Sequence, residues 1–254
     1  MKTLIAGNWK MNGTLDVCGS LAVGVLDGVE KNASLLDKVE FLICPPFVAL
    51  SAVERYLSER PQLVKLGAQN CSAYGSGAYT GDVSAEMVKD CGASYVIIGH
   101  SERREVFGEG DDELVKKVEQ ALSNGVKVIF CVGETDAQRE AGSENAVVGS
   151  QLGVVLSSGL SLNADNFVVA YEPVWAIGTG KVATVDDVEA MHGFIRGQLQ
   201  ESLADYDQIR ILYGGSVKPE NAKEILAVAN VNGALIGGAS LKAKDFVEIA
   251  CSVS

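Results

Sequence analysis

Eight short apolar runs, each followed by a longer stretch of helical pattern, alternate along this chain and limit its fold more than any other feature. The candidate strands are Leu4–Trp9, Val39–Cys44, Leu63–Gly67, Tyr95–Ile98, Val126–Cys131, Phe167–Tyr171, Ile209–Tyr213 and Ala234–Ile236. Between them the pattern predicts helices such as Asp111–Ser123, Val147–Ser157, Val185–Ser202, Pro219–Ala229 and Asp245–Cys251. Two start signals stand out: Pro45-Pro46 suits a first helical turn, and Thr184-Val185-Asp186-Asp187 resembles a capping box with Asp in place of Glu. Parallel strands need helical crossovers, and closing the sheet removes its edges. Eight such units in 254 residues therefore predict an α/β chain folded as one (β/α)8 barrel domain over residues 1–254. The alternative is an open doubly wound sheet, but the first strand is followed by Lys10-Met11-Asn12-Gly13 rather than a GxGxxG turn.

Composition narrows the function classes. With 47% hydrophobic and 21% charged residues the chain can bury one large core. It has no apolar segment of signal-peptide or membrane-spanning length, which predicts a soluble, cytoplasmic protein and no membrane partner. Cysteines 18, 44, 71, 91, 131 and 251 form no CxxC pair, so the expectation is reduced thiols and no metal site. A net charge of −12 repels nucleic acid, and no cluster of Lys and Arg offsets it. An anionic ligand would need a site that inverts this field locally.

Barrels of this class carry their chemistry where strands end and helices begin. In Phe167 to Lys181, FVVAYEPVWAIGTGK, Pro173 stops the strand ladder and leaves Glu172 at the strand's C-terminal end, before a glycine-containing loop. That is a layout either for a base under a lid or for an exposed glutamate before an ordinary turn. At the first junction Asn8 and Lys10 occupy alternate positions and so point to one side. At the fourth, His100 leaves an apolar strand at the start of a polar helical segment, whose N–H groups disfavour imidazolium. A neutral imidazole there can donate a hydrogen bond to a carbonyl, and the same position suits a capping or core histidine. Gly214-Gly215-Ser216 and Gly237-Gly238 present backbone amides at the seventh and eighth junctions, which suits a phosphate or carboxylate. His192, inside a helical pattern, is given no chemistry. The loop from Asn70 to Asp82 holds eleven uncharged residues and reads equally well as a self-packed surface loop or as an insertion into a partner subunit.

With these segments on the page, the chain closely resembles the triosephosphate isomerase family. The resemblance is carried, in the family's order, by AGNWKMN (Ala6–Asn12), IIGHSERR (Ile97–Arg104), CVGE (Cys131–Glu134), AYEPVWAIGTGK (Ala170–Lys181), YGGSV (Tyr213–Val217) and GALIGGASL (Gly233–Leu241). It implies a TIM barrel that interconverts dihydroxyacetone phosphate and D-glyceraldehyde 3-phosphate through an enediolate, with no metal and no organic cofactor. By the same resemblance Glu172 matches the base and His100 the electrophile at the carbonyl oxygens. Lys10 with Asn8 holds the anionic substrate, Glu102 is the acid adjoining the lysine, and Gly178, Ser216, Gly237 and Gly238 grip the phosphate. Ser101 and Cys131 support the reacting groups from behind. The family is commonly a homodimer, and Thr80-Gly81-Asp82 in the 70–82 loop resembles its interdigitating loop, with Asp82 where glutamate is common. Two other readings share the same residues: an aldolase using Lys10 as a Schiff base, and a non-catalytic binding protein on the same scaffold.

Overall fold

The computed structural model describes residues 1–177 and 181–253. Eight parallel strands close into a barrel in sequence order: β1 (Thr3–Asn8), β2 (Val39–Cys44), β3 (Lys65–Ala68), β4 (Tyr95–Ile98), β5 (Lys127–Val132), β6 (Phe167–Tyr171), β7 (Ile211–Tyr213) and β8 (Gly233–Ile236). The ring is shut by β8 against β1, with Ile5 opposite Ala234 and Gly7 opposite Ile236. The barrel reading of the alternating pattern is thus correct, and three strands carry the expected bounds in full.

Strand alternation sorts the side chains into two layers. Leu4, Ala6, Leu42, Cys44, Tyr95, Ile97, Ile129, Cys131, Val168, Ala170, Leu212 and Leu235 fill the barrel interior as one buried cluster. Their neighbours, among them Ile5, Ile43, Val96, Phe130, Val169 and Ile236, pack outward under the helices. The same parity carries Asn8 and Glu172 inward at the C-terminal rim, because 8 follows 4 and 6, and 172 follows 168 and 170, on the interior face.

Several expectations shift. Leu63, Val126 and Ile209 are buried, yet pairing begins later, since burial under a helix extends past the ladder. The helix after β7 ends at Leu226 rather than Ala229, and the helices expected from Val147 and Asp245 begin at Glu144 and Ala243. Pro46 caps a 3-10 turn, Phe47–Ala49, from an extended conformation (φ −60°, ψ 153°), so the Pro-Pro pair precedes the helix Leu50–Leu57 instead of opening it. Two crossovers hold an additional short helix, Ser101–Val106 and Asp136–Glu140. The Thr184 capping box is present: Asp187 N–H donates to Thr184 Oγ1 and Thr184 N–H to Asp187 Oδ2. Cys18, Cys44, Cys71 and Cys131 are buried, whereas Cys251 is exposed.

His192, on the helix Val185–Ser202, is fully buried between the rings of Tyr171 and Tyr213. Nδ1 lies 3.2 Å from the Asn230 carbonyl oxygen, and Nε2 has no partner. Burial pushes its pKa down from 6.5 to about 4. Between those values the unfolded chain binds the extra proton and the folded one does not, so stability falls as pH drops through the window. The full loss, about 3 kcal/mol by linkage, is reached below pH 4. Denaturant unfolding at pH 7 and pH 4 is expected to show a smaller acid loss for His192→Gln than for the parent chain; equal losses would remove His192 from the acid response.

Candidate active site

The C-terminal rim of the barrel holds a cavity of about 580 Å³ lined by Asn8, Lys10, His100, Glu172, Ser216, Gly237 and Gly238, with Ile177, Gly214, Lys218 and Lys242 among its other walls. Sequence reasoning had placed the first seven at one site, and the fold brings them together. Glu102, Ser101 and Cys131, expected at the same site, do not line it. Gly178 lies outside the described residues.

Glu172 directly follows β6 and is only 2% exposed. One oxygen accepts the Ser101 backbone N–H (2.9 Å); the other lies 3.3 Å from the Ser101 hydroxyl and 2.9 Å from His100 Nε2. Burial alone pushes this carboxyl up. The His100 ring, the Ser101 N–H and Lys10 outweigh it, and the net direction is downward, toward the carboxylate. No larger residue fits at Gly214, whose Cβ would stand 2.9 Å from Glu172 Cγ and 3.0 Å from the Tyr171 carbonyl oxygen.

His100 reaches the cavity against strand parity. Tyr95 and Ile97 face inward, so an unbroken strand would turn residue 100 outward; Gly99 at φ +74° breaks the alternation. His100 then caps the helix Ser101–Val106, its Nδ1 accepting the Glu102 N–H at 3.2 Å. That bond places the neutral ring's proton on Nε2, facing Glu172. Burial favours the neutral ring, the Glu172 carboxylate pulls the other way, and with Glu172 in contact the net direction is upward.

Lys10 takes φ +51°, one of two positive values outside glycine among the described residues. Asn8 Oδ1 accepts its N–H at 3.0 Å, and Gln69 Nε2 donates to its carbonyl oxygen at 2.8 Å and to that of Cys44 at 2.9 Å. The shared direction of Asn8 and Lys10 therefore rests on this strained turn as well as on alternation, because β1 ends at Asn8. Lys10 Nζ meets Glu102 Oε1 at 2.6 Å. Its stem passes Gly237, with Cε 3.3 Å from the place a Cβ would occupy.

The glycine turns fall where expected, with one difference: Gly237 leads into a 3-10 segment, Gly238–Leu241, before the helix Ala243–Cys251. Asn221 fastens the other turn, Nδ2 donating to the Ser216 carbonyl oxygen (3.0 Å) while Oδ1 accepts the Lys218 N–H (2.8 Å). Cys131 lies fully buried, and burial together with the Glu172 charge pushes its thiol up. Arg104 ties the ends of β4 and β5, donating to the carbonyl oxygens of Gly99 (2.8 Å) and Cys131 (3.1 Å).

Sequence reasoning missed Glu134. Fully buried at the end of β5, it accepts the Trp175 indole N–H at 2.7 Å, the Tyr171 hydroxyl at 3.0 Å and Arg139 Nη1 at 3.1 Å. Arg139 also binds Asp187 and lies 4.5 Å over the Trp175 ring. The 134–140 segment thereby anchors the stretch just after Glu172. The available signal was the one used for Glu172 itself, a carboxylate just past an apolar strand. Gln69 and Asn221 gave no local signal.

The chain also matches known proteins over its length. The family model described as triosephosphate isomerase covers residues 3–253. Curated relatives named triosephosphate isomerase include those of Magnetococcus marinus, 51% identical over 98% of this chain and 97% of its own, and Rhodopseudomonas palustris, also 51% identical with the same coverage. The crystal structure of triosephosphate isomerase from Bartonella henselae superposes with a TM-score of 0.89 at 44% identity, covering 99% of both chains. By its closed eightfold barrel, its rim cavity and these matches, the chain belongs to the triosephosphate isomerase family.

Proposed function

We propose that this chain interconverts dihydroxyacetone phosphate and D-glyceraldehyde 3-phosphate by proton transfer through an enediolate, residues 1–254 acting as one catalytic domain. The observation that carries the reading is the facing pair at the rim. A buried carboxylate at Glu172 touches the Nε2 of a helix-capping imidazole at 2.9 Å, beside a lysine and two glycine turns in the same cavity. The roles of base, neutral histidine and closing loop are those known for this family, carried over here to the matching residues.

In this reading Glu172 exchanges its Ser101 contacts for the carbon-bound hydrogen next to the substrate carbonyl and takes it as a proton. His100 Nε2–H donates to the carbonyl oxygen as negative charge grows there, and Lys10, set by Asn8, stabilises the same charge. Glu102 holds the Lys10 ammonium. Ser216 with the amides of Gly237 and Gly238 grips the phosphate, aided by Gly178. The proton returns to the neighbouring carbon, and exclusion of water guards the enediolate against phosphate loss. Incubation with dihydroxyacetone phosphate in deuterated water tests this: aldehyde product with deuterium at carbon 2 supports it. No product, or a borohydride-trapped adduct on Lys10, would turn attention to the binding-protein and aldolase readings.

The 70–82 loop supports a homodimer as the working form. Tyr74 and Tyr79 stack at 4.4 Å on an exposed projection, and its base is closed by Ser72 donating to Asp82 Oδ2 and to the Val83 carbonyl oxygen. Sedimentation at micromolar concentration is expected to give twice the 26.7 kDa chain mass, and a monomer would overturn the assignment. Among the described residues no helix is long and apolar enough to cross a membrane. We place the enzyme in the cytoplasm, which cell fractionation checks.

A further inference from the structure

The isomerase reading sets an electrostatic problem: a phosphate dianion must approach a chain of net charge −12. Three lysines line the cavity beside the carboxylates Glu172, Glu220 and Asp245, and two of the lysines form ion pairs. Lys10 Nζ lies 2.6 Å from Glu102, and Lys242 Nζ lies 3.8 Å from Asp245. Lys218 differs, because among the described residues it makes no ion pair and its side chain is exposed at the mouth. Its backbone is not free to wander. Asn221 bonds both the Lys218 N–H and the Ser216 carbonyl oxygen, and Pro219 follows, so the ammonium is carried on a turn fixed two residues from the phosphate grip.

We infer that Lys218 is a specificity determinant for anionic substrate, a positioning residue that draws the phosphate dianion into the cavity through the field at its mouth without touching the reacting atoms. The inference rests on the isomerase reading. An exposed charge acts over roughly the Debye length, about 30 Å at 0.01 M salt and about 3 Å at 1 M, so its contribution is large at low ionic strength and vanishes at high. Steering of this kind raises kcat/KM and leaves kcat alone.

The test compares Lys218→Gln and Lys218→Glu with Lys116→Gln, which removes an equal charge from the helix Asp111–Ser123 away from the cavity. In about 0.01 M salt, kcat/KM should fall by roughly 2–5-fold for Lys218→Gln and roughly 5–20-fold for Lys218→Glu, with kcat within about two-fold. In about 0.5 M salt the variants should converge on the parent, while Lys116→Gln follows the parent throughout. Unchanged kcat/KM for Lys218→Glu at low salt would overturn the inference. So would a deficit that persists at high salt, which marks a direct contact, or an equal effect of Lys116→Gln, which marks net charge alone. A separate titration with inorganic phosphate at low salt needs no turnover. Weaker binding by Lys218→Glu supports the role and equal binding overturns it, whereas loss of the isomerase reading would show as a parent chain without turnover.

Discussion

Glu172→Gln is expected to lower kcat by about 10²–10⁴-fold, the usual worth of a positioned general base, while the chain stays folded. The amide is nearly isosteric with the carboxylate it replaces in a site where Glu172 is 2% exposed, so no cavity opens. Its hydrogen-bond pattern is less well matched. Glu172 presents only acceptors, to the Ser101 N–H, the Ser101 hydroxyl and His100 Nε2. A glutamine can accept from Ser101 N–H with its oxygen, but its NH₂ then faces the Nε2–H that the Nδ1 bond to Glu102 enforces. The ring must shift or the amide must turn, at a cost of about 1–3 kcal/mol for a buried polar group left unpaired. Thermal unfolding should thus move by several degrees while activity falls by orders of magnitude. Steady-state kinetics beside a melting curve separates the two effects, and activity near that of the parent would move the base elsewhere.

How much of this was legible before the structure depends on the kind of signal. The runs Val39–Cys44, Tyr95–Ile98 and Phe167–Tyr171 keep their expected bounds, because each is rich in β-branched and aromatic residues and is followed within two residues by a proline or glycine that stops or turns the chain. The run from Ile209 overshoots, since Ile209 and Arg210 are buried before pairing starts. Helices Ser101–Val106 and Asp136–Glu140 are too short to show a period, and only their caps could have announced them. Strand parity correctly turned Glu172 and Asn8 inward, but it would have turned His100 away from the cavity. That residue arrives because Gly99 adopts φ +74°, which a sequence permits at any glycine and requires at none. Most opaque are the contacts that join distant elements. Glu134 binds Trp175 across 41 residues, and Gln69 holds Lys10 across 59. No local propensity encodes them; they follow from closing the barrel. The site roles proposed above rest on the family motifs, and the geometry supplies physical reasons for assigning them to those residues.

Lys10→Met is expected to reduce kcat/KM by about 10²–10³-fold, the loss typical of removing one group aimed at a developing oxyanion, with little change in stability. The two parts separate because the strain at Lys10 is in the backbone. A left-handed conformation at a residue other than glycine costs on the order of 1–2 kcal/mol, and methionine at φ +51° inherits that cost without adding to it. The Asn8 and Gln69 bonds that hold the turn go to backbone atoms and survive the substitution. The thioether stem can follow the same path past Gly237. Glu102 loses its partner, but its side chain is half exposed, so water takes over and the lost ion pair is worth about 0–1 kcal/mol. The missing charge is thus felt almost entirely by the substrate. If Lys10 acts on the oxyanion, kcat falls together with kcat/KM; a rise in KM alone would confine it to holding the ground-state anion. Backbone strain retained for a charge that folding does not use is the signature of a residue placed for the reaction. The decisive measurement is therefore the pair of kinetic constants for Lys10→Met set beside its melting temperature: activity lost with stability kept supports the oxyanion role, and stability lost in proportion would make Lys10 a structural residue.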